Sequence, residues 1–231
     1  MLHSTCASDR GIPEGTELSE TTQADSRGKP AAERVQRPQA RTLERREAVL
    51  KAALKVFGAH GYHKGALVEV AEEAGMTHAG VLHHFGSKEG LLIAMLKYRD
   101  GEEAAGVPAR AQTEGPAFLQ HLVDTVQENT TRRGVVQAYT VLSGESVADG
   151  HPAHDYFGER THILRAKIAG VFGEVTGSTD EQALADAAST LIAVMDGLQL
   201  QWLLEPEAVE MPRLVASVID ELIDRLSPPV E

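Results

Sequence analysis

The chain has 231 residues, 42% of them hydrophobic and 24% charged, which excludes collagen-like, disulfide-scaffold and fully disordered classes and leaves enough apolar material for a buried core. Its one cysteine, Cys6, cannot close an intrachain disulfide. The formal net charge of −12 argues at first against nucleic acid as a partner, but residues 1–100 carry 14 basic and 13 acidic side chains while residues 101–231 carry 8 and 21.

No apolar run is expected to reach the roughly 18–20 residues of a membrane span, and the first 30 residues are too polar for a signal peptide. A cytoplasmic protein with no membrane partner is therefore expected. Residues 27–64 hold ten bases against three acids, a local basic patch on an acidic chain.

Residues 1–40 are rich in Ser, Thr, Gly, Pro, Glu, Gln and Arg, and read as a disordered leader. From Glu44, Ala48, Val49, Ala52, Ala53, Val56 and Phe57 recur at helical spacing, predicting a first helix of roughly 15 residues that stops at Gly58 and Gly61. Two short helices follow, Leu67 to Ala74 and Thr77 to Phe85. Ser87 then caps a longer helix with Leu91, Leu92, Met95 and Leu96 on one face. The Gly/Ala/Glu/Pro-rich stretch 101–115 is the expected domain boundary. Beyond it, helices are predicted at about 116–131, 134–148, 152–175, 179–204 and 207–226. No segment alternates with period two. The fold expected is all-α, with a small three-helix head over residues 41–100 and a larger helical bundle over residues 101–231, about nine helices in total.

Ala71, Gly75 and Val81 have the spacing of a helix-turn-helix: a small residue at a close crossing, a glycine for the turn, and an apolar anchor for the second helix. The second helix presents Thr77, His78, Ala79, Gly80, His83 and His84 with no carboxylate before Glu89, a surface suited to phosphates and base edges. The run GYHKGALVEVAEEAGMTHAGVLHHFGSKEGLL, residues 61–92, resembles the N-terminal region of TetR/AcrR-type transcriptional regulators, through Phe57, Gly61, Tyr62, His84, Phe85, Lys88, Glu89 and Leu91. The stretch Met195-Asp196-Gly197-Leu198-Gln199 is loosely similar to the BetI-type effector and dimerisation domain. The resemblance implies double-stranded operator DNA as a partner, read by Thr77, His78, Ala79, Gly80 and His83, with His84 and Lys88 on phosphate. It also implies a small-molecule effector and a homodimer built on the C-terminal helices. Where the family carries a hydroxyl residue at the start of its helix-turn-helix, this chain has Gly65-Ala66, and where it often carries a tyrosine pair the chain has Leu82-His83.

Arg41, Arg45 and Arg46, directly before this unit, are read as phosphate contacts rather than a solvated helix start. His78, His83 and His84 are spaced by five and one, which does not bring three imidazoles to one helix face, so no metal is expected there. His151 and His154 around Pro152 are read as an ordinary helix start. Ser143-Gly144-Glu145-Ser146 is a helix irregularity or pocket lining. No nucleophile elbow or phosphate loop occurs, so neither catalysis nor a cofactor is expected. The apolar content of 179–204 and 207–226 suits a dimer interface as well as internal core. The candidates for the effector pocket are His121, Tyr139, Tyr156, Phe157, Met195, Gln199 and Trp202. The reading is a ligand-responsive repressor. The alternatives are an effector-independent regulator or activator of the same fold, or a helical interaction module whose helix-turn-helix is structural.

Overall fold

The structure is a computed structural model that describes residues 31–101 and 113–228, with side chains from residue 41. Of the leader expected over residues 1–40, residues 1–30 lie outside the described residues and residues 31–40 are helical rather than disordered; most of the expected boundary segment also lies outside them. The chain divides into two units, Met1–Pro38 and Gln39–Glu231, and the second holds both the head and the helical body.

Among the described residues there are nine helices and no strand: α1 (Ala31–Lys64), α2 (Leu67–Glu73), α3 (His78–Phe85), α4 (Lys88–Asp100), α5 (Ala117–Asn129), α6 (Arg133–Glu145), α7 (His154–Thr176), α8 (Glu181–Leu204) and α9 (Met211–Leu226). The all-α expectation holds. α1 differs from its prediction, because its helical backbone starts at Ala31 and runs through Gly58. Gly58 faces Ala138 of α6, where an added Cβ would lie 3.0 Å from the alanine methyl, so its smallness serves packing rather than termination.

α2 and α3 pack on α1 through Val49, Leu50, Ala53, Phe57, Val70, Ala71 and Val81, and α4 closes this head with Leu91, Leu92 and Met95. Ser87 caps α4, its Oγ accepting from Gly90 N–H at 2.9 Å. Ser87→Ala should therefore cost about 1 kcal/mol, read as a lower thermal midpoint.

The head core continues onto the body. Ala138, Tyr139 and Leu142 of α6, with Ala153 and Phe157 at the start of α7, belong to it, while Val136 of α6 belongs to the second core formed by α5, α7, α8 and α9. α6 is thus the shared wall between two cores.

α8 corrects one expectation. It is long and apolar enough to cross a membrane by length and composition, with an 18-residue window of mean hydropathy 1.2. Its Leu184, Ala187, Ala188, Leu191, Leu198 and Trp202 are buried against the neighbouring helices, so much of this apolar content is core. Leu200 and Leu204 remain exposed.

Candidate nucleic-acid interface and internal cavity

The turn between α2 and α3 is built on Gly75, whose φ of 64° lies in the left-handed region that side chains disfavour. Met76 N–H bonds back to Ala71 O at 2.8 Å, and Val81 anchors α3 with no exposed surface. Thr77 is the N-cap, its Oγ1 accepting from Gly80 N–H at 3.1 Å. Thr77, His78, Ala79 and His83 are exposed along α3, Gly80 and His84 are half-buried, and no carboxylate lies between Ala74 and Lys88. The imidazoles of His83 and His84 meet edge to face at 5.7 Å, and among the described residues no group of three His, Cys, Asp or Glu could hold a metal.

The basic residues divide by position. Arg41 and Arg45 are exposed. Arg46 is a strap between α1 and α3: its guanidinium lies 4.4 Å above the Phe85 ring and donates to His84 O at 3.4 Å. Lys88 is also engaged. Its Nζ donates to His63 O at 3.2 Å and sits 4.6 Å above the Tyr62 ring, and burial lowers its pKa. Gly65 is buried, and a Cβ there would come 2.6 Å from the Phe57 ring, so the position is steric. The N-cap of α2 falls on Ala66 and carries no side-chain cap; Glu69 compensates by accepting from Ala66 N–H at 3.4 Å.

Ser143–Ser146 does not line the body cavity. Glu145 instead fastens the body to the head: its carboxylate accepts from Tyr62 N–H at 2.7 Å, just after Gly61, whose φ of 73° and ψ of 177° suit glycine alone. α7 starts at His154 as expected, but His151 before it is buried beside Glu145. Its Nδ1 accepts from Ala153 N–H at 3.2 Å, its Nε2 stands 3.8 Å from Glu145, and its ring packs edge-on to Tyr62 and His63. Burial lowers the pKa of His151, which Glu145 raises and His63 lowers further.

The cavity itself, of about 590 Å³, opens in the body between the end of α4 and helices α5–α8. His121, Tyr139, Tyr156, Met195 and Gln199 line it. Phe157 and Trp202 do not: Phe157 turns into the head core edge-on to Tyr139 at 5.4 Å, and Trp202 is buried in the body core with the Arg133 guanidinium 5.6 Å away.

The polar centre of the cavity is not among the residues expected from sequence. Asp100, the last residue of α4, pairs with Arg99 at 2.6 Å and Arg160 of α7 at 2.9 Å, and accepts from the Tyr156 hydroxyl. Arg160 also donates to the Tyr139 hydroxyl at 3.0 Å, and Arg99 lies 4.0 Å above that ring. Burial pushes the Asp100 carboxyl up, but Arg160, Arg99 and the Tyr156 hydrogen bond together hold it below the usual carboxylate range. Asp196 on α8 lines the same space. It keeps more than a third of its surface accessible, yet the surrounding protein raises its pKa against the pull of Arg160 and Arg99. Charged residues interrupting apolar helix faces, Arg160 and Asp196, are the signal available in the sequence.

Comparison with known proteins fits this architecture. The family model described as "Bacterial regulatory proteins, tetR family" matches residues 49–95, and that described as "BetI-type transcriptional repressor, C-terminal" matches residues 116–228. The HTH-type transcriptional regulator BetI 2 of Chromohalobacter salexigens is 27% identical over 188 residues, 78% of this chain and 88% of that protein. The A-factor receptor protein of Streptomyces griseus is 29% identical over 167 residues, 70% of this chain, and the match spans only 56% of the receptor. Among solved structures, a TetR-family transcriptional regulator from Rhodococcus sp. superposes with a TM-score of 0.61 at 24% identity, covering 78% of this chain and 98% of that one. NalD, the secondary repressor of the MexAB-OprM multidrug efflux pump in Pseudomonas aeruginosa, does so at 0.60 and 18% identity, covering 81% and 97%. These superpositions share the fold, and the two family models together account for both the head and the body. The chain belongs to the TetR family of bacterial transcriptional regulators, with a BetI-type C-terminal region.

Proposed function

We propose that the chain is a ligand-responsive repressor that binds a palindromic operator as a homodimer, with residues 41–100 reading DNA and residues 101–231 holding the effector and the dimer contact. The observation that carries this reading is the exposed, carboxylate-free face of α3, capped by Thr77 and fixed in the head core by Val81. A helix so presented can enter the major groove, with Thr77, His78, Ala79 and His83 toward base edges and Arg41 and Arg45 toward phosphates. Lys88 acts at one remove through His63 O, and Arg46 does so through the His84 carbonyl, which leaves the half-buried His84 imidazole beside the DNA-facing groups.

The cavity supports the effector role because one of its walls is the end of α4, the helix whose beginning lies in the head. Half-sites lie about 34–36 Å apart, so an effector that binds the wrong head separation more tightly weakens operator binding. Exposed Leu200 and Leu204, with the half-buried face of α9, offer the dimer contact.

Fluorescence anisotropy with DNA from the region upstream of the protein's own gene tests the reading. Affinity should fall at least about 100-fold between 50 and 200 mM salt. His83→Ala should cost about 1–3 kcal/mol of binding, and Arg45→Ala should reduce the salt slope by about one. Binding that is absent, or insensitive to both salt and His83, would favour the structural helix-turn-helix instead.

A further inference from the structure

The cavity carries a balance of charge and hydrogen-bonding capacity that narrows what it can hold. Asp100 serves two guanidinium groups, Arg99 and Arg160, which leaves one positive charge in excess. Asp196 offsets it through space without touching either arginine: among the described residues it has no hydrogen bond or ion pair, and both arginines act on its pKa. The inner wall is therefore neutral as it stands, with two cations and two anions. The side chains of Arg99 and Asp100 are only 12% and 15% exposed, so an ion brought against that pair would find little water to screen it, while Asp196 stays open to solvent. Toward the rim, Arg132 pairs with Glu128, Lys97 and Glu159 add one charge of each sign, and Lys167, 4.1 Å above the Phe118 ring, leaves one positive charge over at the mouth, away from the inner wall.

Acceptors and donors remain unspent on facing sides of the cavity. Gln199 is 5% exposed; its Nε2 donates to Met195 O at 3.2 Å, while its Oε1 is buried without a partner. That contact fixes the orientation of the amide, since the flipped form would set oxygen against oxygen, and the soft terminal torsion lets Oε1 turn toward a donor in the cavity. Asp196 stands three residues earlier, one helical turn away on the same side of α8. Arg160 uses Nε on Asp100 and Nη1 on Tyr139, leaving further N–H groups of its five.

Resting on the effector reading, we infer that the cavity takes an uncharged amphipathic molecule bearing a hydroxyl group, of the phenol or long-chain alcohol class, with the hydroxyl seated between Arg160 and the Asp196–Gln199 pair. A hydroxyl donates to one of these acceptors and accepts from Arg160 at the same time, which neither ion does. An ammonium supplies donors only and meets the guanidinium groups. A carboxylate supplies acceptors only and leaves Gln199 Oε1 unsatisfied beside Asp196. Phe118, Leu122, Ile163, Leu164 and Met195 receive the apolar remainder.

Titration calorimetry on the full chain with four probes of one shape tests this: para-pentylphenol, its methyl ether para-pentylanisole, para-pentylbenzoate and para-pentylbenzylamine. The phenol should bind at least tenfold more tightly than the other three. Asp196→Ala and Gln199→Met should each weaken the phenol about tenfold and leave the ether unchanged. Asp196→Ala, by uncovering the excess positive charge, should also strengthen the benzoate. Either ion binding the native chain as well as the phenol does, or phenol affinity unmoved in both variants, overturns the inference while leaving an effector cavity in place. No binding by any probe, with operator affinity unchanged in their presence, overturns the inference and the effector reading together.

Discussion

Asp100→Ala is expected to destabilise the protein by about 3–5 kcal/mol, because it leaves the Arg99 and Arg160 guanidinium groups sheltered without the one carboxylate that pairs with both. Urea unfolding should show a lower midpoint with little change in slope. Asp100→Asn separates charge from shape: the Tyr156 contact survives, yet most of the loss should remain. Acid supplies a second reading of the same residue. The Asp100 carboxyl is held below its ordinary value in the fold, so its contribution is complete above the unfolded-chain pKa of about 3.9 and is lost as pH falls through the lowered folded value. Native and variant stability curves should therefore converge in strong acid. Curves that stay parallel down to the acid transition would mean that the carboxylate charge is not what holds the two arginines.

Gly61→Ala is the second large effect, at about 3 kcal/mol. The backbone there occupies a region costing a residue with Cβ about 1–3 kcal/mol, and the hydrogen bond at risk involves a carboxylate worth about 1.5–3 kcal/mol. The new Cβ would fall 1.9 Å from Glu145 Oε1, so the carboxylate that accepts from Tyr62 N–H must move away. Hydrogen exchange should show the Tyr62 amide losing protection while amides in the core of α8 keep theirs. Operator affinity should fall with it, since the head is then less firmly held to the body. A protected Tyr62 amide in the variant would show that Glu145 had found another route to it.

The recognition unit is legible in the sequence because each of its parts is local. Gly75 makes the turn, Thr77 caps α3, and Val81 anchors it, all within eleven residues of Ala71. The body helices are legible to within a few residues for the same reason, their breaks carrying Gly, Pro or polar residues. The illegible parts are assembled from distance. Asp100 and Arg160 lie 60 residues apart, and nothing near either one announces the other. Glu145 and Tyr62 meet across 83 residues, and the Lys88 amine meets His63 O across 25, a contact that no local pattern announces. Phe157 and Trp202 fall outside the cavity because aromatic size does not say which side of a long helix meets a cavity and which meets a core. The start of α1 is hidden since residues 31–43 offer too few apolar side chains to mark a periodic face.

α4 joins the two halves of the molecule as a single unbroken rod. Its 13 residues, at about 1.5 Å each, make it about 20 Å long. Leu91, Leu92 and Met95 are packed so completely into the head that any change in the tilt of the helix is carried into it. In the proposed dimer, tilting such a rod by about 10° about Asp100 would carry its far end about 3.5 Å, and two copies moving oppositely across a dyad would change their separation by about 7 Å, roughly a fifth of one turn of B-DNA. An effector that changed the tilt of α4 at its Asp100 end would therefore be read out at the far end of a long arm.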